Sequence, residues 1–276
     1  MPCPIEEPLV HTLDMLPIDG PQAPLLTASS YSQFVKAAAK MKCTCCPLGA
    51  CNQGPPILDE RPVNNRIGRV VFIGEGPGEQ EQIMGSTFCG PAGMKLRHEM
   101  FSQARVPANA CHFINLVKCR AYDTMYNKYD VSTPLFKDRP PRIAEIQACF
   151  QLLLKQLTFV NPALIVFIGS SAAKYSLGLK TSFKITKSIG YGCPILVNES
   201  VVNSVVIPHP SYFLREGGRV DTAAYSATIS VLARISDMVL NNEPFTYKLF
   251  AEDEFATKQK PLYYSATSVF NERFIA

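Results

Sequence analysis

The sequence predicts an α/β fold: three α/β/α layers around a central, mainly parallel four-stranded sheet. Two observations predict it. Short apolar runs end repeatedly in polar signatures, and these runs alternate with stretches at helical spacing. Val70-Val71-Phe72-Ile73 leads into Gly74-Glu75-Gly76-Pro77-Gly78-Glu79, Phe113 to Val117 into Lys118-Cys119-Arg120, and Val205-Val206-Ile207 into Pro208-His209-Pro210-Ser211. Such runs, bounded by glycine and proline, read as buried strands. Their alternation with helices favours a parallel sheet covered on both faces. In that architecture ligands bind beyond the carboxyl ends of the strands. A carboxylate, an amide and an imidazole delivered to one such edge have the makings of an active site.

The elements follow in order. Residues 1–30 carry six prolines and no sustained apolar period, so an irregular or partly ordered arm is expected. Ser32 to Met41 reads as a short helix leading into the cysteines. The strand at 70–73 gives way to a glycine-rich loop and a helix near 91–104. Strand 112–117 precedes a polar insertion, 120–141. A helix over about 142–159 follows from Ile143, Ile146, Phe150, Leu153, Leu154 and Leu157, and Pro140-Pro141 suits its start. Strand 163–168 runs through Gly169-Ser170-Ser171 into a helix near 171–177. Strands near 194–197 and 204–207 and a helix near 221–240 complete the core. VVFIGEG and IVFIGSS echo each other as two equivalent strand–turn–helix units. The expected organisation is an arm at 1–42, a domain at 43–240 containing the insertion, and an aromatic-rich extension at 241–276.

With 276 residues, 47% of them apolar, the chain can bury one substantial core. Its longest uninterrupted apolar stretch, Ala163 to Ile168, is too short to span a bilayer. The first residues lack the layout of a signal peptide, so an intracellular protein with no membrane association is expected. A net charge of +4 permits nucleic-acid binding without demanding it. Ten cysteines are many for a reducing compartment, and Cys43, Cys45, Cys46 and Cys51 crowd together. Such crowding suggests a metal or cluster cofactor more than a disulfide framework.

The residues that could do chemistry each carry a plainer reading as well. The GEGPGE run is first a tight turn in which glycine lets a ligand approach main-chain N–H groups. It fits neither the dinucleotide nor the phosphate-loop pattern. Glu75, Glu79 and Glu81 add an acidic cluster. His209, one of four histidines, is held between two prolines, either as a structural group or as a catalytic one. Asn115 lies on an apolar stretch, where a buried amide needs partners; it could pack, or offer a donor and an acceptor to a base edge.

Together these features resemble the family 4 uracil-DNA glycosylases over roughly residues 43–240. The match comprises CxxCPL (Cys43 to Leu48), GEGPGEQE followed by Gly85, Phe88, Gly90, Ala92 and Gly93, NLVKCR (Asn115 to Arg120), Cys149, and HPSYFLR (His209 to Arg215). The resemblance implies a 4Fe-4S cluster on Cys43, Cys46, Cys119 and Cys149, whose thiolates suit it. A structural zinc site on the same sulfurs is the alternative, and Cys45 and Cys51 could compete as ligands.

It also implies uracil-containing DNA as substrate. The nucleotide must leave the stack, at a cost of about a few kcal/mol. Phe88 would stack on the base, Gly76 would lend backbone N–H groups, and Asn115 would read the O4/N3 edge. Cytosine reverses that donor and acceptor pattern and would leave both groups unpaired. His209 would stabilise charge growing on O2. A carboxylate, Glu75 or Glu81, would orient water. Leu214 would enter the gap left by the base. Arg215, Arg219, Lys118 and Arg120 are candidate phosphate contacts, or simply a solvated basic surface.

The chain departs from the family in several ways. Gln82 replaces a usual acid and Thr87 a common proline, and the insertion between Cys119 and Cys149 is longer than is typical. Its Lys128, Lys137, Arg139 and three tyrosines would extend the DNA footprint. No histidine lies between His112 and His209, which argues against the covalent trapping seen in a related branch. The two terminal extensions could meet a protein partner. Two rival readings are a glycosylase for another modified pyrimidine and a non-catalytic DNA-binding or polymerase-associated subunit.

Overall fold

The computed structural model describes residues 20–51, 54–59, 70–127, 130–177, 179, 183–197, 200–214, 222–241 and 243. Residues 1–19 of the arm, Lys128, Arg215, Arg219 and the extension from 244 onward lie outside them.

Seven strands form. They are β1 (Val70–Gly74), β2 (Cys111–Asn115), β3 (Tyr122–Asn127), β4 (Asp130–Asp138), β5 (Leu164–Ile168), β6 (Gly192–Val197) and β7 (Ser200–Ile207). The main sheet has the order β2-β1-β5-β7-β6. The first four of these are parallel neighbours, with Phe72 opposite Phe113 and Val166, and Ile168 opposite Ile207. β6 pairs antiparallel with β7 and adds a fifth strand at one edge. Every residue of β1, β2 and β5 is buried, as continuous apolar runs in a doubly covered parallel sheet require.

The helices in chain order are α1 (Ala23–Leu26), α2 (Tyr31–Ala39), α3 (Pro47–Cys51), α4 (Glu79–Met84), α5 (Pro91–Met94), α6 (Phe101–Ala104), α7 (Ile143–Val160), α8 (Gly169–Leu177) and α9 (Thr222–Leu240). A π-helical stretch, Lys95–Met100, joins α5 to α6, so the expected helix over 91–104 runs through without a break.

Alternate strand residues feed two cores. Val71, Ile73, Ile165, Phe167 and Val206 pack with Phe150, Leu153 and Leu154 of α7 and Ala172 and Ala173 of α8. Val70, Phe72, Val166, Val205 and Ile207 pack on the opposite face with Leu96, Met100, Phe101 and α9. That division makes three layers. α9 is long and apolar enough to cross a membrane by length and composition. Its Ala224, Val231, Leu232, Ile235 and Met238 nonetheless pack into the second core.

From residue 20 onward the N-terminal segment is ordered against the core. Leu25, Tyr31 and Phe34 form a satellite core with Leu58 and with Leu152 of α7. A buried polar contact reinforces it, because the Tyr31 hydroxyl lies 2.8 Å from His112 Nε2 on β2.

The polar insertion folds as the antiparallel β3–β4 hairpin, with Asp123 opposite Lys137 and Thr124 opposite Phe136. Two arginines clamp its stem. Arg120 donates to Asp138 Oδ1 at 2.6 Å and to Glu79 Oε1 at 3.3 Å. Arg139 donates to both carboxylate oxygens of Glu145, at 2.7 and 2.8 Å, and to Asp123 at 3.0 Å. Planar bidentate pairing of this kind fixes geometry as well as energy.

Candidate active site

The four parallel strands run the same way, so their carboxyl ends share one rim. Across it stand Asn115 at the end of β2, Glu75 just after β1, the start of α8 after β5, and His209 two residues after β7. Neighbouring strands lie about 4.8 Å apart, so the outer two are separated by roughly three such spacings. Side chains reaching inward from them can bracket a flat group. A cavity of about 650 Å³ occupies this place, lined by Glu75, Gly76, Glu81, Phe88, Asn115 and His209, with Leu214 at its edge. The cavity therefore brings together all three residues singled out as catalytic and all three singled out for the base.

Close packing sets the amide and the aromatic ring. Gly74 pairs with Asn115, and a Cβ added there would come within 2.6 Å of Asn115 Oδ1 and 2.7 Å of Phe88 Cζ. Any side chain there would have to push the Asn115 amide or the Phe88 ring from its place. Phe88 has φ 51°, in the left-handed region, which a bulky residue adopts only where its surroundings impose it. Its ring packs 5.3 Å from that of Phe113. On the far side, Gly169 has φ +86°, and a Cβ there would come within 3.1 Å of His209 Cβ.

His209 caps a short 3₁₀ turn, Pro210–Phe213. Its Nδ1 accepts the Ser211 N–H at 3.3 Å and lies 2.7 Å from Ser211 Oγ. A ring nitrogen accepting a backbone N–H carries no proton, so in the neutral ring the proton sits on Nε2. Burial pulls the His209 pKa below the usual histidine value, and the Glu81 charge opposes it. The ring is thus an uncharged donor near neutral pH.

The two acids differ sharply. Burial raises the Glu75 carboxyl above the usual glutamate range, and a hydrogen bond with Ser171 partly offsets this. Glu81 is spent on the main chain: Oε2 accepts the Gly78 N–H at 3.1 Å and Oε1 the Gly90 N–H at 2.6 Å.

The chain matches the family described as the uracil DNA glycosylase superfamily over residues 64–232. A protein named type-4 uracil-DNA glycosylase from Thermotoga maritima is 35% identical over 192 residues, covering 69% of this chain and 87% of that protein. The bearer of the same name from Archaeoglobus fulgidus is 31% identical over 117 residues, 42% of this chain and 51% of its own. That from Saccharolobus solfataricus is 32% identical over 126 residues, 46% and 51% respectively. The chain belongs to the uracil DNA glycosylase superfamily, among its type-4 members.

Two sequence expectations need correction in this glycosylase. Lys118 is 1% exposed, and its Nζ donates to the Asn115 carbonyl at 2.5 Å. Burial draws its ammonium down to about 7, against the opposing influence of Cys149 and Cys119. Arg120 is likewise buried and committed to Asp138, Glu79 and Gln82. Lys118 is held by an interior carbonyl and Arg120 by the exposed carboxylates of Asp138 and Glu79, so neither stands out as a surface cation. Leu214, 39% exposed beside the cavity, has the opposite character. The sequence reading missed Ser171 and Ser211, which orient Glu75 and His209. Their signal was present as polar residues just beyond two strand ends, in GSS and HPS.

Cys43, Cys46, Cys119 and Cys149 are free, and they come from the N-terminal segment, the loop after β2 and α7. Burial, with the neighbouring sulfurs adding to it, raises the Cys149 thiol to about 12 and that of Cys119 higher still. Cys45, the exposed member, is pushed up to about 11 by burial and by Cys43. Among the described residues, no three such side chains stand close enough in this conformation to share a metal ion.

Proposed function

We infer that this protein hydrolyses the N-glycosidic bond of uracil in DNA, as a monofunctional glycosylase of base excision repair. The convergence of Glu75, Asn115, Phe88 and His209 on one cavity carries the reading. A flipped uracil would lie against Phe88. Asn115 would donate from Nδ2 to O4 and accept N3–H at Oδ1. As the bond from C1′ to N1 breaks, its electron pair passes to the base, and His209 Nε2–H meets the charge gathering on O2. Such a donor is effective because it is fixed in place before the charge appears. On the sugar side the Glu75 carboxylate offsets the oxocarbenium charge and takes the proton of the water that attacks C1′. Its raised pKa makes it the stronger base, and Ser171 restricts its orientation. The products are free uracil and an abasic site.

A panel of duplexes holding U·G, U·A, T·G and 5-hydroxymethyluracil tests the substrate. Abasic sites should form in the uracil duplexes and not with T·G. Cleavage confined to hydroxymethyluracil would move the protein to another pyrimidine.

The pH dependence follows from the directions of the two shifts. Neutral His209 is present above a pKa that lies below 6.5, and ionised Glu75 above one that lies over 4.5. Excision should therefore be flat near neutrality and decline as pH falls through both. Single-turnover rates between about pH 5 and 8 measure this; a rate that rises on acidification would make His209 an imidazolium acid.

Cys43, Cys46, Cys119 and Cys149 would hold a 4Fe-4S cluster. Four free thiols from three separate segments, those of Cys119 and Cys149 raised by burial and by the neighbouring sulfurs, form a donor set suited to a positively charged iron core. The cluster would supply a structural cross-link between the N-terminal segment, the loop after β2 and α7. Purified protein should absorb broadly near roughly 400 nm and contain iron; colourless protein containing zinc would contradict this.

A further inference from the structure

We propose that Glu81 is a positioning residue, clamping the loop that carries Glu75 to the loop that carries Phe88. The proposal rests on the uracil-excision reading and assigns the two acids different work. Gly78 closes the turn that begins beyond β1, and Gly90 lies two residues past Phe88 at the entry to α5. One carboxylate oxygen holds each of their N–H groups, so a single side chain spans both loops. The fit depends on Gly90, since an added Cβ there would approach both oxygens to 2.9 Å.

Apolar burial does not secure the helix at this corner. α4, which carries Glu81, has no buried residue, and Ile83 and Met84 are each 69% exposed. Apolar packing therefore does not fix its position; hydrogen bonds and the Arg120–Glu79 ion pair do. Phe88 meanwhile holds a left-handed backbone that needs outside restraint, and the Gly90 anchor lies just beyond it. With each oxygen bound to a backbone donor, Glu81 is poorly placed to take a proton from water. Its charge does reach His209, where it favours the protonated ring.

The test compares Glu81→Gln and Glu81→Ala with the wild type by single-turnover excision, duplex affinity, amide exchange and NMR titration of His209. Glutamine keeps one acceptor and turns an NH2 toward the other amide, so one of the two bonds is lost. Excision should fall about tenfold in Glu81→Gln and about a hundredfold in Glu81→Ala, the scale of a small misplacement, with duplex affinity retained. Exchange at Gly78 or Gly90 should quicken, and the His209 pKa should move down. Wild-type excision in Glu81→Gln would overturn the proposal. So would slowed excision with both glycine amides as protected as before, which would assign Glu81 to the chemical step itself. Should Glu81→Ala fail to fold, Glu81→Gln decides. A wild type that releases no uracil would sink the excision reading alone, because amide exchange still judges the clamp.

Discussion

Replacing His209 with alanine lowers uracil excision about 10²–10³-fold, the usual cost of losing one donor to a developing oxyanion. Affinity for the duplex stays nearly intact. The split follows from where the residue sits. The ring is a cavity-lining group beyond β7, neutral because burial disfavours its charge, and its proton is on Nε2 because Nδ1 accepts from Ser211. A neutral imidazole contributes little to binding a polyanion, which depends on cationic contacts with phosphates. Its contribution comes when the base becomes an anion. Gel-shift or anisotropy measurements beside single-turnover kinetics separate the two effects. Parallel loss of binding and rate would make His209 part of the scaffold.

Replacing Glu75 with glutamine has a comparable or larger effect on rate, about 10²–10⁴-fold for a positioned base, and the reverse effect on stability. The folded-state pKa of Glu75 is raised, chiefly by burial. The folded protein therefore binds this proton more tightly than the unfolded chain does. At neutral pH the ionised carboxylate opposes folding, and that penalty fades as pH falls through the raised value. Glutamine is neutral and close in shape, so it removes the penalty. Thermal unfolding at neutral pH should hold steady or move upward while excision collapses. A lower melting temperature alongside lost activity would mark Glu75 as a structural carboxylate.

The rim positions of these two residues were legible in the sequence because Glu75 directly follows Val70–Gly74 and His209 comes two residues after the apolar run Val205–Ile207, where chain direction alone assigns them to the rim. Asn115 was expected inside a strand over 112–117, and its place at the rim follows from β2 ending at that residue. The echo of VVFIGEG and IVFIGSS also has a structural meaning, since β1 and β5 are adjacent and Phe72 faces Val166.

Other features were hidden for identifiable reasons. α4 buries no residue, so it leaves no apolar period to detect. The β3–β4 hairpin contains Pro134, which weakens a strand reading; arginine clamps at its stem compensate in the fold. Lys118 was read as a surface group because lysine almost always is one. Only the three-dimensional packing puts it inside, under the Asn115 carbonyl. The division of labour proposed for Glu75 and Glu81 was equally invisible, because it rests on which carboxylate the main chain has already engaged.

One structure bears on the whole account: this protein bound to a duplex in which a fluorinated deoxyuridine resists cleavage. The expected result is a uracil ring out of the helix and against Phe88, with O4 and N3 facing the Asn115 amide, O2 within reach of His209 Nε2, and Glu75 on the sugar side. A base still stacked in the duplex, or seated away from that rim, would contradict it.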